Sequence, residues 1–309
     1  MLQVLPQKTR YGVILIVLAA LVISTADVIY KIGAQNLSLW QVFALRGFIV
    51  LPGLVLLMHF WTQTQSRWSQ IKSSFSTWAG LRGFMFALSL LLFYAALPKL
   101  SLSTLGAAHY TAPLIIAMLS SWFTGEPVGK TGWIGVTLGF IGLLALIQPG
   151  SDSFSPWIFL PLLGALAYAA THLITRAKCQ NISAPALAFS QNFFMMIAGF
   201  IITALLLTFP VGQNLQVDQP QLFSTWPALG WQGYLVISGM SILTLAAGIM
   251  IARAYQVAPA PTVGAFEYSY LLFAAIWDAF FGTLPNMLGI IGAALIIFAG
   301  LIILRKANP

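Results

Sequence analysis

Charge is what this chain lacks most. Only 6% of its 309 residues are Asp, Glu, Lys or Arg, where a soluble domain carries roughly 25%. Without a hydrophilic skin the chain cannot present itself to water, which excludes a soluble enzyme, a nucleic-acid binder and a disordered protein. Cysteine is nearly absent too. The single Cys179 can form no internal disulfide and so reveals nothing about redox compartment. There is no Cys/His cluster at metal-ligand spacing, no Gly-Lys-Ser/Thr phosphate loop for ATP and no Arg ladder of the voltage-sensor kind. No cofactor is expected, and no nucleic-acid partner.

What is present is apolar length. Hydrophobic residues make up 59% of the chain, and the mean hydropathy is +0.90. Lipid is the natural solvent for such a sequence, and each spanning helix needs about 20 apolar residues. Ten runs qualify: 11–33, 38–60, 76–97, 102–124, 130–148, 156–177, 184–209, 228–256, 260–281 and 284–304. Because backbone N–H and C=O groups find no water in hydrocarbon, the runs are expected as helices. They are too long and too evenly apolar for barrel strands. The first run lacks a clear cleavage site after it and reads as a retained helix, not a signal peptide.

The basic residues fall unevenly between the runs. Lys8, Arg10, Arg67, Lys72, Lys130, Arg176, Lys178, Arg305 and Lys306 group on one side. Lys31, Lys99, Asp152 and Asp218 fall on the other. By the positive-inside rule both termini are cytoplasmic, and the longest connection, 210–227, is outside. The expectation is a multi-pass protein of the bacterial cytoplasmic (inner) membrane.

The chain also repeats itself. Gly125, Gly132 and Gly135 recur at a spacing of 157 as Gly282, Gly289 and Gly292, with Leu114, Ala117 and Phe123 matching Leu271, Ala274 and Phe280. At a spacing of 145, Asp27 and Lys31 fall opposite His172 and Arg176. Chance is the competing explanation, since Gly and Leu are abundant. A true repeat of five helices, an odd number, forces the two halves to be inverted in the membrane, which is the architecture of alternating-access carriers. The expected fold class is therefore an all-α integral membrane protein of ten transmembrane helices, built as two inverted five-helix repeats, 1–149 and 150–309.

Several stretches carry a family likeness. Arg82-Gly83, Phe93-Tyr94-Ala95-Ala96-Leu97, Tyr110-Thr111-Ala112-Pro113 and Gly125-Glu126-Pro127 resemble the EamA family of the drug/metabolite transporter superfamily. Ala265-Phe266-Glu267-Tyr268 and Phe281-Gly282-Thr283-Leu284-Pro285 look like the same region repeated. Ala26-Asp27-Val28-Ile29-Tyr30-Lys31 is similar to metabolite carriers, S-adenosylmethionine carriers among them. Thr283 stands where the repeat would place a second glutamate, so any role of that acid is kept only at Glu126. The resemblance implies ten helices, inverted repeats and a central cavity lined largely by the third, fourth, eighth and ninth.

Ionisable groups inside lipid are costly and by default face the bundle interior, a partner or water. Asp27 and Lys31 share a helix face at i, i+4. They read either as a structural ion pair with Lys31 snorkelling, or as an outer gate in which Asp27 reaches another helix. Glu267 is the residue singled out. It should share a face with Tyr270, Leu271, Ala274 and Asp278. It could hold a cationic group or a coupling proton, or else make a structural bond to Arg253 or Arg82. His109 and Tyr110 precede Pro113, which should break or kink their helix and free carbonyls at depth. His109 is either packing or substrate-binding. Arg82 either snorkels to the near surface or binds a carboxylate. Tyr94, Tyr110, Tyr270 and Trp277 are candidate cavity walls for a flat or amphipathic molecule.

The expected function is a secondary active transporter of small organic metabolites, amino acids or related amphipathic compounds, driven by protons or by exchange. Uptake or exchange of a cationic metabolite such as S-adenosylmethionine is the alternative; a membrane enzyme or a channel is the rival from another class. The expected substrate-binding residues are Glu267, Tyr110, His109, Tyr270, Tyr94 and Trp277. Asp27, Lys31 and Arg82 are expected in gating or ion pairing. The expected partners are a small-molecule substrate, the lipid bilayer and protons.

Overall fold

The structure is a computed structural model, and it describes residues 6–33, 37–61, 66–100, 102–149, 155–209, 211–224, 226–282 and 286–306. Asp152, Thr283, Leu284 and Pro285 lie outside these residues. The described residues form fifteen α-helices and no strand. In order they are α1 (Gln7–Gly33), α2 (Leu39–Trp61), α3 (Arg67–Ser74), α4 (Thr77–Ala96), α5 (Leu102–His109), α6 (Ala112–Thr124), α7 (Lys130–Ile147) and α8 (Phe159–Lys178). There follow α9 (Ala184–Thr208), α10 (Gln213–Asp218), α11 (Pro220–Phe223), α12 (Trp231–Val257), α13 (Ala260–Glu267), α14 (Ser269–Phe280) and α15 (Met287–Lys306).

Seven helices are long and apolar enough to cross a bilayer by themselves: α1, α2, α4, α7, α8 with the turn before it, α9 and α12. Helix α15 is apolar over Met287–Ile302. The runs expected at 102–124 and 260–281 are not continuous helices. The first is divided into α5 and α6 around Tyr110–Thr111, the second into α13 and α14 at Tyr268. Pro113 does not kink a helix; it sits in the first turn of α6, where its missing N–H would have had no intrahelical acceptor. The second break needs no proline at all.

Helix α1 packs along α12, α4 along α8, α2 along α9 and α7 along α15. Close approaches give the directions. Gly12 faces Ala258 while Gly33 faces Val236, so α1 and α12 are antiparallel; Gly47 faces Met196 while Gly199 faces Trp40, so α2 and α9 are too. Helices α7 and α15 touch backbone to backbone. A Cβ on Gly142 would lie 2.7 Å from the Gly292 carbonyl oxygen, and one on Gly292 would lie 2.6 Å from the Leu146 nitrogen. Small residues allow this approach, and in lipid such packing replaces the hydrophobic drive between helices. Smaller contacts join α4 to α9, α2 to α12, α6 to α8 and α1 to α14. Exchanging α1 with α8, α2 with α9, α4 with α12, α5–α6 with α13–α14 and α7 with α15 leaves this set of contacts unchanged. The backbone repeats as well. Among the described glycines only Gly125 (φ 69°) and Gly282 (φ 81°) have positive φ, again 157 residues apart, and each follows the helix after a break.

The connection expected outside is folded. It carries α10 and α11, Trp40 Nε1 donates to the Leu222 carbonyl at 2.8 Å, and Trp226 Nε1 donates to Thr203 Oγ1 at 2.8 Å.

The α7–α15 contact gives a direct test. Gly292→Ala should lower the melting temperature of the detergent-solubilised protein, at a cost of about 1–3 kcal/mol for forcing two backbones apart. Gly212→Ala, with nothing within 4 Å of the added carbon, should leave it nearly unchanged. Equal melting temperatures for the two variants would sink this account of the packing.

Candidate functional site

The two helix breaks meet in the interior. The Tyr268 hydroxyl, from the second break, donates to the Tyr110 carbonyl of the first at 3.3 Å. The Tyr110 ring lies 5.9 Å from that of Tyr270, stacked at 25°. Thr111 Oγ1 donates to the Ala108 carbonyl at 2.7 Å, and Ser269 Oγ donates to the Phe266 carbonyl at 2.7 Å. Carbonyls released by each break are thus taken up by hydroxyls of the residues that follow it.

On the side of the breaks nearer α3 lies a buried polar cluster. Glu267, 8% exposed, ends α13. Its Oε1 accepts from the Tyr255 hydroxyl of α12 at 2.8 Å and the Tyr168 hydroxyl of α8 at 3.2 Å. His172 Nε2 lies 3.9 Å from the same oxygen, beyond a hydrogen bond. The His172 ring stacks on Tyr255 at 4.1 Å and 18°. Neither Arg253 nor Arg82 is the partner of Glu267 in this arrangement. The expected shared face with Tyr270 is also lost, because the break at Tyr268 puts Glu267 and Tyr270 on different helices. Glu267 turns toward Tyr255, whereas Tyr270 donates its hydroxyl to Asp27 Oδ2 at 2.8 Å.

Arg82 does not snorkel. It is fully buried. Its Nε donates to Thr175 Oγ1 at 2.7 Å, and its two terminal nitrogens donate to the Leu187 carbonyl at 2.9 Å and to Gln191 Oε1 at 3.2 Å. It ties α4 to α8 and α9, and neutral oxygens take its hydrogen bonds.

On the far side of the breaks, Asp27 is exposed and Arg46 keeps a buried Nε without a hydrogen-bond partner. Tyr94 sits in an aromatic group with Trp40, Phe43 and Phe93, at 6.4, 6.1 and 5.2 Å. His109 packs its ring against Phe93 at 5.3 Å and Tyr168 at 5.4 Å, and its Nδ1 is buried without a partner. Glu267, His109, Tyr110 and Tyr270 therefore converge on the breaks. Trp277 does not join them there. It lies two turns further along α14, its ring 5.9 Å from Phe280.

Each end of the bundle is tied by an ion pair. At the end holding α3, Arg176 Nε donates to Glu126 Oε1 at 2.8 Å and Nη1 to the Gln256 carbonyl at 2.6 Å. Glu126 Oε2 accepts from the Ala260 N–H, the start of α13, at 3.1 Å. At the opposite end, Lys31 Nζ meets Asp278 Oδ1 at 3.0 Å, and both side chains are well exposed. Lys31 and Arg176 are the pair that match at a spacing of 145. Beside the Arg176–Glu126 pair, Lys8, Arg10, Arg176, Arg253 and Gln256 line a cavity of about 750 Å³.

Sequence reasoning missed Tyr168 and Tyr255 as partners of Glu267, and the Glu126–Arg176 pair. A signal existed for part of it: Tyr168, His172 and Arg176 recur every fourth residue on one face of α8. For Tyr255 there was none, since α12 is apolar along most of its length.

The helices, the buried polar centre and the paired ends are those of a multi-pass membrane transporter. Residues 10–148 match the model of the EamA-like transporter family. It is 29% identical to a riboflavin transporter of Rhizobium johnstonii, over 63% of this chain and 59% of that protein. It is 24% identical to the pseudopaline exporter CntI of Pseudomonas aeruginosa, over 94% of each. It is also 24% identical to an S-adenosylmethionine uptake transporter of Rickettsia bellii, over 93% of this chain and 91% of that protein. A crystal structure 15% identical in sequence shares the fold, with a TM-score of 0.76 over 96% of this chain and 98% of the other.

Replacing Arg82 by Met should destabilise the protein by about 1–3 kcal/mol, because the acceptors it serves are left buried and unpaired. Thermal unfolding in detergent measures this, and a variant as stable as the parent would show that Arg82 is not the tie described.

Proposed function

We propose that the chain is a secondary active transporter of small organic metabolites, working by alternating access across the bacterial cytoplasmic membrane. Its ten spans are read as two inverted five-helix repeats, 1–149 and 150–309, with the divided helices α5–α6 and α13–α14 each counted as one span. Several features support the inversion. The larger packing contacts survive exchange of the halves, equivalent helices such as α2 and α9 run antiparallel, and the positive-φ glycines repeat. The basic residues at the start of α1, in α3 and at the end of α8 support cytoplasmic termini.

The observation that carries the reading is the placement of Glu267 at the meeting point of two broken helices, between the two ion-paired ends. Discontinuous helices at the midplane, with irregular backbone lining a cavity, are where carriers bind substrate. In the proposed cycle the Arg176–Glu126 lock closes one face and the Lys31–Asp278 pair closes the other. Asp27, Glu267, His109 and the tyrosines 94, 110 and 270 bind the substrate between them, with Trp277 toward the outer end. Carboxylates among aromatic rings suit an amino or other cationic group on an amphipathic molecule. The substrate class is therefore amino acids or related compounds.

A second reading, uptake or exchange of a cation such as S-adenosylmethionine, is favoured by the same carboxylates and by the Rickettsia relative's name. Relatives named for export and for uptake both align along nearly the whole chain, so direction does not follow from kinship.

Glu267 is proposed to carry the coupling proton. A thermal-shift screen against metabolites supplies a substrate, and its uptake is then measured in proteoliposomes with and without a pH gradient. Glu267→Gln should lose the gradient dependence. If the variant responds to the gradient as the parent does, coupling through Glu267 is wrong. Trans-stimulated exchange of the same substrate by the parent protein is expected of a carrier; its absence would favour a channel.

A further inference from the structure

We propose that His172 passes the proton between Glu267 and the cavity at the cytoplasmic end, so that the pair, and not the carboxyl alone, forms the proton path. The inference rests on the proton-coupled reading of Glu267 and extends it to a residue with no role so far. His172 is 1% exposed, and both of its ring nitrogens are buried without a hydrogen-bond partner. A neutral imidazole always carries one N–H, and leaving that donor unpaired is unfavourable. A phenylalanine would fill the slot against Tyr255 and Tyr168 without that cost. The polar ring is thus unexplained by packing, and its geometry supplies an explanation.

Nε2 stands 3.9 Å from Glu267 Oε1, about one ångström more than a charge-assisted hydrogen bond requires. The ring plane is held by stacking on Tyr255 and by the edge of Tyr168 at 4.4 Å. Small closure brings nitrogen and oxygen into contact without turning the ring. On the other side, Arg176 follows one turn later on α8 and lines the cytoplasmic cavity together with Gln256, the neighbour of Tyr255.

The transfer balances. Protonated Glu267 gives its proton to the free nitrogen of His172, leaving a carboxylate and an imidazolium. The imidazolium then gives a proton to water entering from the cavity, restoring the neutral ring. The reverse sequence loads Glu267 from the cytoplasm. The charged and titratable groups around the ring are known from each neighbouring helix. Arg82 comes from α4 through Thr175, Tyr168 and Arg176 from α8 itself, Tyr255 from α12 and Glu267 from α13. His109 of α5 lies beyond Tyr168, and Glu126 from the end of α6 is held by Arg176. Helices α1 and α6 add Ile16, Ala19 and Ile116 to the surrounding core.

The probe is the proton itself, so no substrate is needed. Purified protein in liposomes is subjected to a pH jump and followed by time-resolved infrared difference spectroscopy. The Glu267 carboxyl band is identified by its loss in Glu267→Gln. With His172→Asn or His172→Gln, protonation of Glu267 should slow at least tenfold, with the melting temperature within a few degrees of the parent. An unchanged rate in a folded variant overturns the proposal. Should neither variant fold, the protein carrying labelled histidine in a His59→Gln/His109→Gln background is used. An imidazole band rising in the same phase as the carboxyl change supports the path, and a carboxyl change without it overturns the path. If parent and Glu267→Gln spectra coincide, it is the proton role of Glu267 that has failed.

Discussion

The backbone polar groups in this molecule's apolar body have to find their partners within the protein, because hydrocarbon offers none. That constraint explains more of the structure than the hydrophobic content does. It makes the chain helical, and it directs serine and threonine hydroxyls back to carbonyls three or four residues earlier, as Ser241 bonds Ile237 and Thr203 bonds Gly199. It also sets the terms on which a helix is allowed to break. The breaks at Tyr110–Thr111 and Tyr268 are tolerable because they face each other, so that a hydroxyl from one serves a carbonyl of the other. Without the second break the Tyr110 carbonyl would lose this donor.

The two halves keep the same backbone devices and differ in chemistry. Positions 110 and 267 occupy equivalent places beside the breaks, yet one is Tyr and the other Glu. Positions 27 and 172 are equivalent, yet one is Asp and the other His. On the proposed repeat, duplication supplies the scaffold, and substitution at a few interior positions makes its two ends chemically distinct. Asp27 meets Tyr270 on one side of the breaks, and Glu267 meets Tyr255 and Tyr168 on the other. A chain with two identical polar layers would offer a substrate or a proton no reason to prefer one face.

The all-helical membrane character was legible in the sequence because it depends on composition and run length, and these need no tertiary information. The repeat at Gly125 and Gly282 was legible for a different reason: a left-handed backbone position tolerates few residues besides glycine, so the geometry leaves its mark on the letters. Glu267 stood out because a lone carboxylate in an apolar run is costly. Its partners did not, since a tyrosine in a membrane helix is equally at home facing lipid, packing or a site. The break at Tyr268 was invisible because nothing in Phe266-Glu267-Tyr268-Ser269 is a helix breaker; the break is held by tertiary bonds. Arg82 was misjudged because distance from a helix end says nothing about whether three acceptors wait in the interior.

The locks are unequal, and the inequality ties the ends to the centre. An exposed pair such as Lys31–Asp278 contributes roughly 0–1 kcal/mol, so that pair is weak by itself. The inner one is a half-buried network in which Glu126 holds both the Arg176 guanidinium and the first N–H of α13. Helix α13 is eight residues long, about 12 Å at 1.5 Å per residue. One of its ends is capped by the lock, and its other end is Glu267. A short rigid rod between a capping carboxylate and a buried carboxyl cannot move at one end without moving at the other. Helix α13 thus joins Glu267 directly to the Glu126–Arg176 pair, while α14, which begins two residues after Glu267, carries Asp278 of the other pair.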